Sequence, residues 1–262
     1  MEIPAIRDVD SGGEIIVEDM IDKISKEIDA RLDKLLAENT WNDLWVGQDE
    51  KSRSIIDDGC MDVTSYNNAN KKILWMLKEH NGNAPEYGKF TPVGVWDAHR
   101  MHIFWDMYTD PERFSRNVNW YRTLKLVELA SRGILNNCKM DVFEKVRTFA
   151  ITTFKQLSFV EMGKTPGGSA TSYRRLCRLT EAWGDIVVRQ IKYYEPEVIV
   201  VAGSQFGLLK NLLKGISDKC RHVGIAQQYL WDGIPIVYAC HPGYRGVDRQ
   251  VWVDSVIAAA MA

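Results

Sequence analysis

Three short apolar runs constrain this chain more than anything else in it: ILWML at 73–77, VIVVA at 198–202 and IPIVYAC at 234–240. Each is bounded by charged or turn residues. A strand with one wet face alternates polar with apolar, whereas an unbroken apolar run reads as a strand buried on both faces, as in a parallel sheet. The stretches between the runs have helical periodicity. In 173–194, Leu176, Leu179, Trp183, Ile186, Val187 and Ile191 recur at three- and four-residue steps, and Pro196 stops the pattern. A further strand is predicted over 150–160, although polar residues interrupt it. Strands alternating with helices imply an α/β fold. The expectation is a three-layer α/β/α arrangement with a central, mainly parallel four-stranded sheet.

Helices are also predicted at 206–214, at 248–262, and at 117–131, the last with Leu124, Val127 and Leu129 as apolar positions and Gly133 as C-cap. A short aromatic helix is read at 99–107. Residues 15–38 read as one amphipathic helix on Ile21, Ile24, Ile28, Leu32 and Leu35. Its bland reading is a helix packed on the flank of the domain; the sharper one is a homodimer-forming helix. The division expected is an N-terminal helical extension over 1–65 and an α/β/α domain over 66–262.

With 262 residues and 45% hydrophobic content, the chain suffices for one large core. A net charge of -2 excludes a broadly basic protein, so any nucleic-acid contact must come from a local patch. The five cysteines, Cys60, Cys138, Cys177, Cys220 and Cys240, have no metal-ligand or CxxC spacing. This argues against a zinc site, an iron–sulfur cluster or a disulfide framework, and fits reduced thiols in a cytoplasm. No run reaches the length of a membrane span, and the first residues lack an apolar signal region. A cytoplasmic protein with no metal, no cofactor and no membrane association is expected.

Ligands of open α/β sheets bind beyond the carboxyl ends of the strands. The first run ends in Lys78, Glu79, His80, Asn81 and Gly82; Glu161 and Lys164 follow the second strand; His241, Tyr244 and Arg245 follow the last. In a parallel sheet these loops share one edge and can converge. A histidine there can move a proton or stabilise developing negative charge, and Glu79 can orient a water. The bland alternatives are a polar loop leaving the sheet and a strand-end histidine satisfied by the backbone. Gly163-Lys164-Thr165 is not a P-loop: the required earlier glycine is Ser158, and Pro166-Gly167-Gly168 breaks the helix that should follow. Val201-Ala202-Gly203-Ser204 lacks dinucleotide-binding spacing.

From about residue 72 to about 250, the order of these pieces resembles the uracil-DNA glycosylase superfamily. Lys78-Glu79-His80-Asn81-Gly82 stands where that family has a motif of the type Gly-Glu-Ala-Pro-Gly, keeping the Glu and the last Gly. Gly88-Lys89-Phe90 with Val93-Gly94 looks similar to its base-stacking loop. GKTPGG, a long helix and EPEVIVVAG match its middle, and His241-Pro242-Gly243 fits its second signature.

The resemblance implies cleavage of the N-glycosidic bond of a flipped uracil or modified base in DNA, with Glu79, His80 and His241 in catalytic roles. It implies Asn81, Gly82, Phe90, Glu161, Lys164, Gly243, Tyr244 and Arg245 as substrate-binding residues. Phe90 would stack on the base, His241 would stabilise charge left on it, and Tyr244-Arg245 would fill the wedge position. The alternative on the same fold is a non-catalytic module that binds a base, a nucleotide or DNA, single-stranded DNA included; a structural subunit is a third. The family's opening glycine is Lys78 here, its Asp or Asn water-positioner is His80 or Asn81, and its recognition asparagine is Glu161. A carboxylate repels uracil O4 and favours a base edge with donors, and Lys164 is the partner expected for it.

Overall fold

A computed structural model describes residues 26, 27, 30, 31, 34, 58–60, 62–77, 110–146, 149–164 and 172–262. The strands are β1 (Gly59–Cys60), β2 (Ile73–Met76), β3 (Leu157–Phe159), β4 (Val198–Ala202), β5 (Arg221–Val223), β6 (Ala226–Trp231) and β7 (Ile234–Ala239). They form one mixed sheet in the order β1-β3-β2-β4-β7-β6-β5. Neighbours β3, β2, β4 and β7 run parallel, with Ile73 opposite both Leu157 and Val198, and Ile199 opposite Ile236. Antiparallel β1 lies outside β3, and antiparallel β6 and β5 lie outside β7.

The sheet has seven strands, which corrects the expected four. The additional ones carry weak patterns. β1 is two residues long, β5 is mostly exposed, and glutamines interrupt β6. One signal was nevertheless present. Asp232-Gly233 joins β6 to β7 with φ of 49° and 86°. Two left-handed residues are what a two-residue type I′ hairpin turn requires.

The helices are α1 (Val63–Asn67), α2 (Pro111–Trp120), α3 (Arg122–Asn136), α4 (Phe149–Lys155), α5 (Tyr173–Tyr194), α6 (Phe206–Leu212) and α7 (Arg249–Met261). Most of the strand predicted over 150–160 is therefore helix. Ala150, Thr153 and Phe154 are the buried positions, at helical rather than alternating spacing, and only Leu157–Phe159 joins the sheet. The helix predicted over 117–131 is two helices, broken at the extended Tyr121. Gly133 is not its cap: it lies inside α3, and Asn137, at φ 49°, ends the helix. A Cβ on Gly133 would stand 2.3 Å from Ile257 Cδ1, so the glycine lets α3 approach α7 closely.

Alternate residues of β2 feed two cores. Ile73 and Trp75 face the side covered by α3 and α7; Leu74 and Met76 face the side covered by α5 and α6. Helices thus lie on both faces of the sheet. On the first face Trp75 stacks on Trp252 with 6.3 Å between ring centroids, and each indole N–H is satisfied, by Ser131 Oγ and the Cys240 carbonyl respectively.

Of the amphipathic helix read over 15–38, residues 26, 27, 30, 31 and 34 are described, and all are helical. They sit against α5. Arg31 forks onto Asp185 at 2.5 and 2.9 Å and donates to the Ala182 carbonyl, while Glu27 accepts from Arg31 and Arg189. This agrees with a helix on the flank of its own chain. The short helix read at 99–107 lies outside the described residues. Among the described residues no helix is long and apolar enough to cross a membrane.

Candidate functional site

Because β3, β2, β4 and β7 are parallel, their carboxyl ends share one edge. The segment leaving β2 carries Glu79, His80, Asn81, Gly82 and Phe90, all outside the described residues. What is described between β2 and β4 is a clamp: Gln205, buried just after β4, donates from Nε2 to the Met76 carbonyl at 3.0 Å. It holds two strand ends together. Its only sequence signal is an amide in the Gly203-Ser204-Gln205 turn, and the reading above passed over it.

Beyond β3, Lys164 is fully buried. Its ammonium bonds to the Asp58 carboxylate and donates to the Glu161 carbonyl at 3.0 Å. Asp58 also accepts from the Glu161 N–H at 2.7 Å and from Gln190 Nε2 at 2.8 Å. The partner expected for Lys164, the Glu161 carboxylate, is corrected: Lys164 is an interior cation paired to Asp58. The physical reason is topological. β1 enters antiparallel beside β3, so the residue preceding β1 arrives at the carboxyl end of β3, and a buried lysine requires an acid there. Glu161 is half-buried, with its main chain bound into this cluster.

Beyond β7 the geometry is open. The loop 241–248 turns at Tyr244, whose N–H donates to the His241 carbonyl at 2.8 Å. His241 Nδ1 accepts from the Gly243 N–H at 3.0 Å. A neutral imidazole that accepts at Nδ1 carries its proton on Nε2. Gly243 matters for space: a Cβ there would lie 3.0 Å from His241 Nδ1 and 3.2 Å from Thr123 Oγ1. Tyr244 and Arg245 are exposed.

Arg122, the first residue of α3, staples this loop. Its Nε donates to the Pro242 carbonyl at 2.8 Å, and its Nη2 to the carbonyls of Tyr244 and Val247 at 2.9 and 3.0 Å. Beside it opens a cavity of about 420 Å³ whose walls include Arg122, Phe143, Arg245, Asp248 and Arg249. Burial lowers the affinity of Arg122 for its proton, and repulsion from Arg249 and Arg245 lowers it further. Lys125 is likewise shifted down, first by burial and then by Arg249. Among the described residues on that wall, the one carboxylate, Asp248, accepts from the Gln250 and Val251 amides as the N-cap of α7.

Of the expected constellation, the described residues lie on one edge, at two ends of it. β2 and β4 separate β3 from β7, three strand spacings on the order of 14 Å. Glu161 and Lys164 therefore belong to a different end of the edge from His241, Gly243, Tyr244 and Arg245. Sequence reading missed Arg122, Phe143 and Arg249. Their visible signals were arginines opening two helices, where acids are the usual residues, and an aromatic in a polar turn. Among the described residues, no group of three or more His, Cys, Asp or Glu could hold a metal ion. No protein-family model matches this chain, and no curated protein sequence matches it.

Proposed function

We propose that this chain is a DNA glycosylase-like protein, similar to the uracil-DNA glycosylase superfamily, that hydrolyses the N-glycosidic bond of a flipped base at the carboxyl edge of its sheet. The observation that carries this reading is the state of His241. The Gly243 N–H bound at Nδ1 makes Nε2–H the donor, on a loop fixed by three bonds from Arg122. A preorganised N–H donor suits an anion that develops on a departing base.

The test is excision from single- and double-stranded oligonucleotides carrying uracil or amino-bearing damaged bases. His241→Ala should lower kcat about 10²–10³-fold with little change in KM, the signature of a donor used in the transition state. Normal kcat with a raised KM in His241→Ala would make His241 a binding group only.

A second reading, a non-catalytic nucleic-acid-binding module, is favoured by the cavity beside the loop. Among the described residues arginines dominate its polar lining, and the one carboxylate there is engaged as a helix cap. Oligonucleotide binding with no excision across the panel would select it.

A further inference from the structure

Two helices begin at the same cavity, and each has an arginine as its first residue, although the Asp248 carboxylate caps α7. The amide end of a helix favours acids. Yet α3 opens on Arg122 and α7 on Arg249, and neither helix has an acid in its first turn. Arg245 enters the same wall from the loop, and Lys125 lies close enough to Arg249 to feel its charge. No acid among the described residues forms an ion pair with Arg245 or Arg249. The whole chain carries a net charge of -2, so this concentration of cations is local. On the rim stands Phe143, 87% exposed, held in a tight turn by the bond from its N–H to Asp141 Oδ1 at 2.8 Å.

We propose that the cavity between α3, α7 and the 241–248 loop is a phosphate subsite, in which Arg122, Arg245 and Arg249 bind the phosphate of a nucleotide unit and the ring of Phe143 offers a face to the adjoining base. Guanidinium groups match phosphate oxygens in pairs, and the start of α3, which has no side-chain cap, adds its amide dipole; the amides of α7 are taken by Asp248. An exposed aromatic beside such a site supplies stacking that is indifferent to sequence. Two sources share this chemistry, a phosphodiester within a strand and a free nucleotide. The inference rests on the nucleic-acid reading for its ligand and does not depend on base excision.

The experiment is fluorescence anisotropy of a labelled single-stranded DNA 12-mer against the full chain, over a series of salt concentrations. Deoxynucleoside monophosphate and inorganic phosphate serve as competitors. Arg245→Ala and Arg249→Ala should each weaken binding about tenfold at low salt. Each should flatten the log–log salt slope by about 0.7, the value for one phosphate contact on a single strand. Phe143→Ala should weaken binding several-fold and leave the slope unchanged. Arg249→Ala should at the same time raise the melting temperature by about 1–2 °C, because it removes a cation from a helix start. Loss of binding therefore cannot be ascribed to unfolding. Competition by the monophosphate in the wild type but not in the Arg245→Ala/Arg249→Ala double variant would assign the site to free nucleotides; strand binding without such competition would assign it to a phosphodiester.

A double variant that keeps both the wild-type affinity and the wild-type slope overturns the proposal, as does a wild type that binds neither probe. Wild-type binding by that variant beside normal excision would sink this inference alone. The expected slopes with no excision would sink the catalytic reading alone.

Discussion

Beyond β3, Lys164 and Asp58 are both sealed from solvent and bound to each other, with Gln190 and the Glu161 main chain completing the set. Beyond β7, on the same sheet edge, Arg122, Arg245 and Arg249 stand around an open cavity with little opposing charge. The first region resolves its charge internally, because an unpaired ion in the interior is too costly to keep. The second leaves its charge facing outward, where an external anion can complete it. The difference separates a corner whose charge is neutralised inside the fold from one whose charge stays at the surface.

The comparison can be tested at its closed end first. Asp58→Ala should destabilise the fold by about 3–5 kcal/mol in urea unfolding, since it strands a buried ammonium and two donors. Adding Lys164→Met should recover much of that loss. If the single and double variants are equally unstable, the pairing is not what holds this corner. At the open end, Arg122→Ala should cost about 2 kcal/mol, from three charge-assisted bonds at a half-buried site. Amide exchange at Gly243 and Tyr244 should speed up together, because both amides are held within the turn that Arg122 staples. Unchanged protection there would separate Arg122 from the placement of His241.

A smaller effect is expected on the flank, where ion pairs are more exposed. Asp185→Asn should cost under about 1 kcal/mol, given a side chain more than half exposed. The hydrogen bond from Arg31 holds the Asp185 carboxyl below its ordinary range, and the bond from Arg189 does the same for Glu27. Groups depressed in the folded state stabilise it above their ordinary pKa, and that stability is lost as pH falls through the depressed values. Acidification below the usual carboxylate range should therefore loosen residues 26–34 from α5. Limited proteolysis between residues 35 and 58 would report it, and Asp185→Asn should blunt the response. A proteolysis profile independent of pH would dissociate these ion pairs from the docking of that helix.

Much of the frame was legible in the residues. The runs at 198–202 and 234–239 are strands, 173–194 is one helix to the residue, and all its named apolar positions are buried. Period and continuity are local properties, and burial on both faces leaves its mark on every residue of a central strand. Edge strands were not legible in that way: half-exposed β5 and two-residue β1 need no apolar pattern, since partners supply their hydrogen bonds from one side. The segment at 150–160 misled because Ile151, Thr152 and Thr153 favour strand locally, whereas packing placed Ala150, Thr153 and Phe154 on one helical face.

The site divides along the same line. The sequence by itself determined that His241, Tyr244 and Arg245 follow a buried strand, and that the chain has no excess of basic residues to attract nucleic acid indiscriminately. Only the tertiary structure decided that Lys164 belongs to Asp58, 106 positions earlier, and that Arg122 belongs to a loop 120 positions later. Charge partners are chosen by which strand ends adjoin in the sheet. Strand order carries no signature in local composition, so an interior cation and an interface cation look alike until the sheet is assembled.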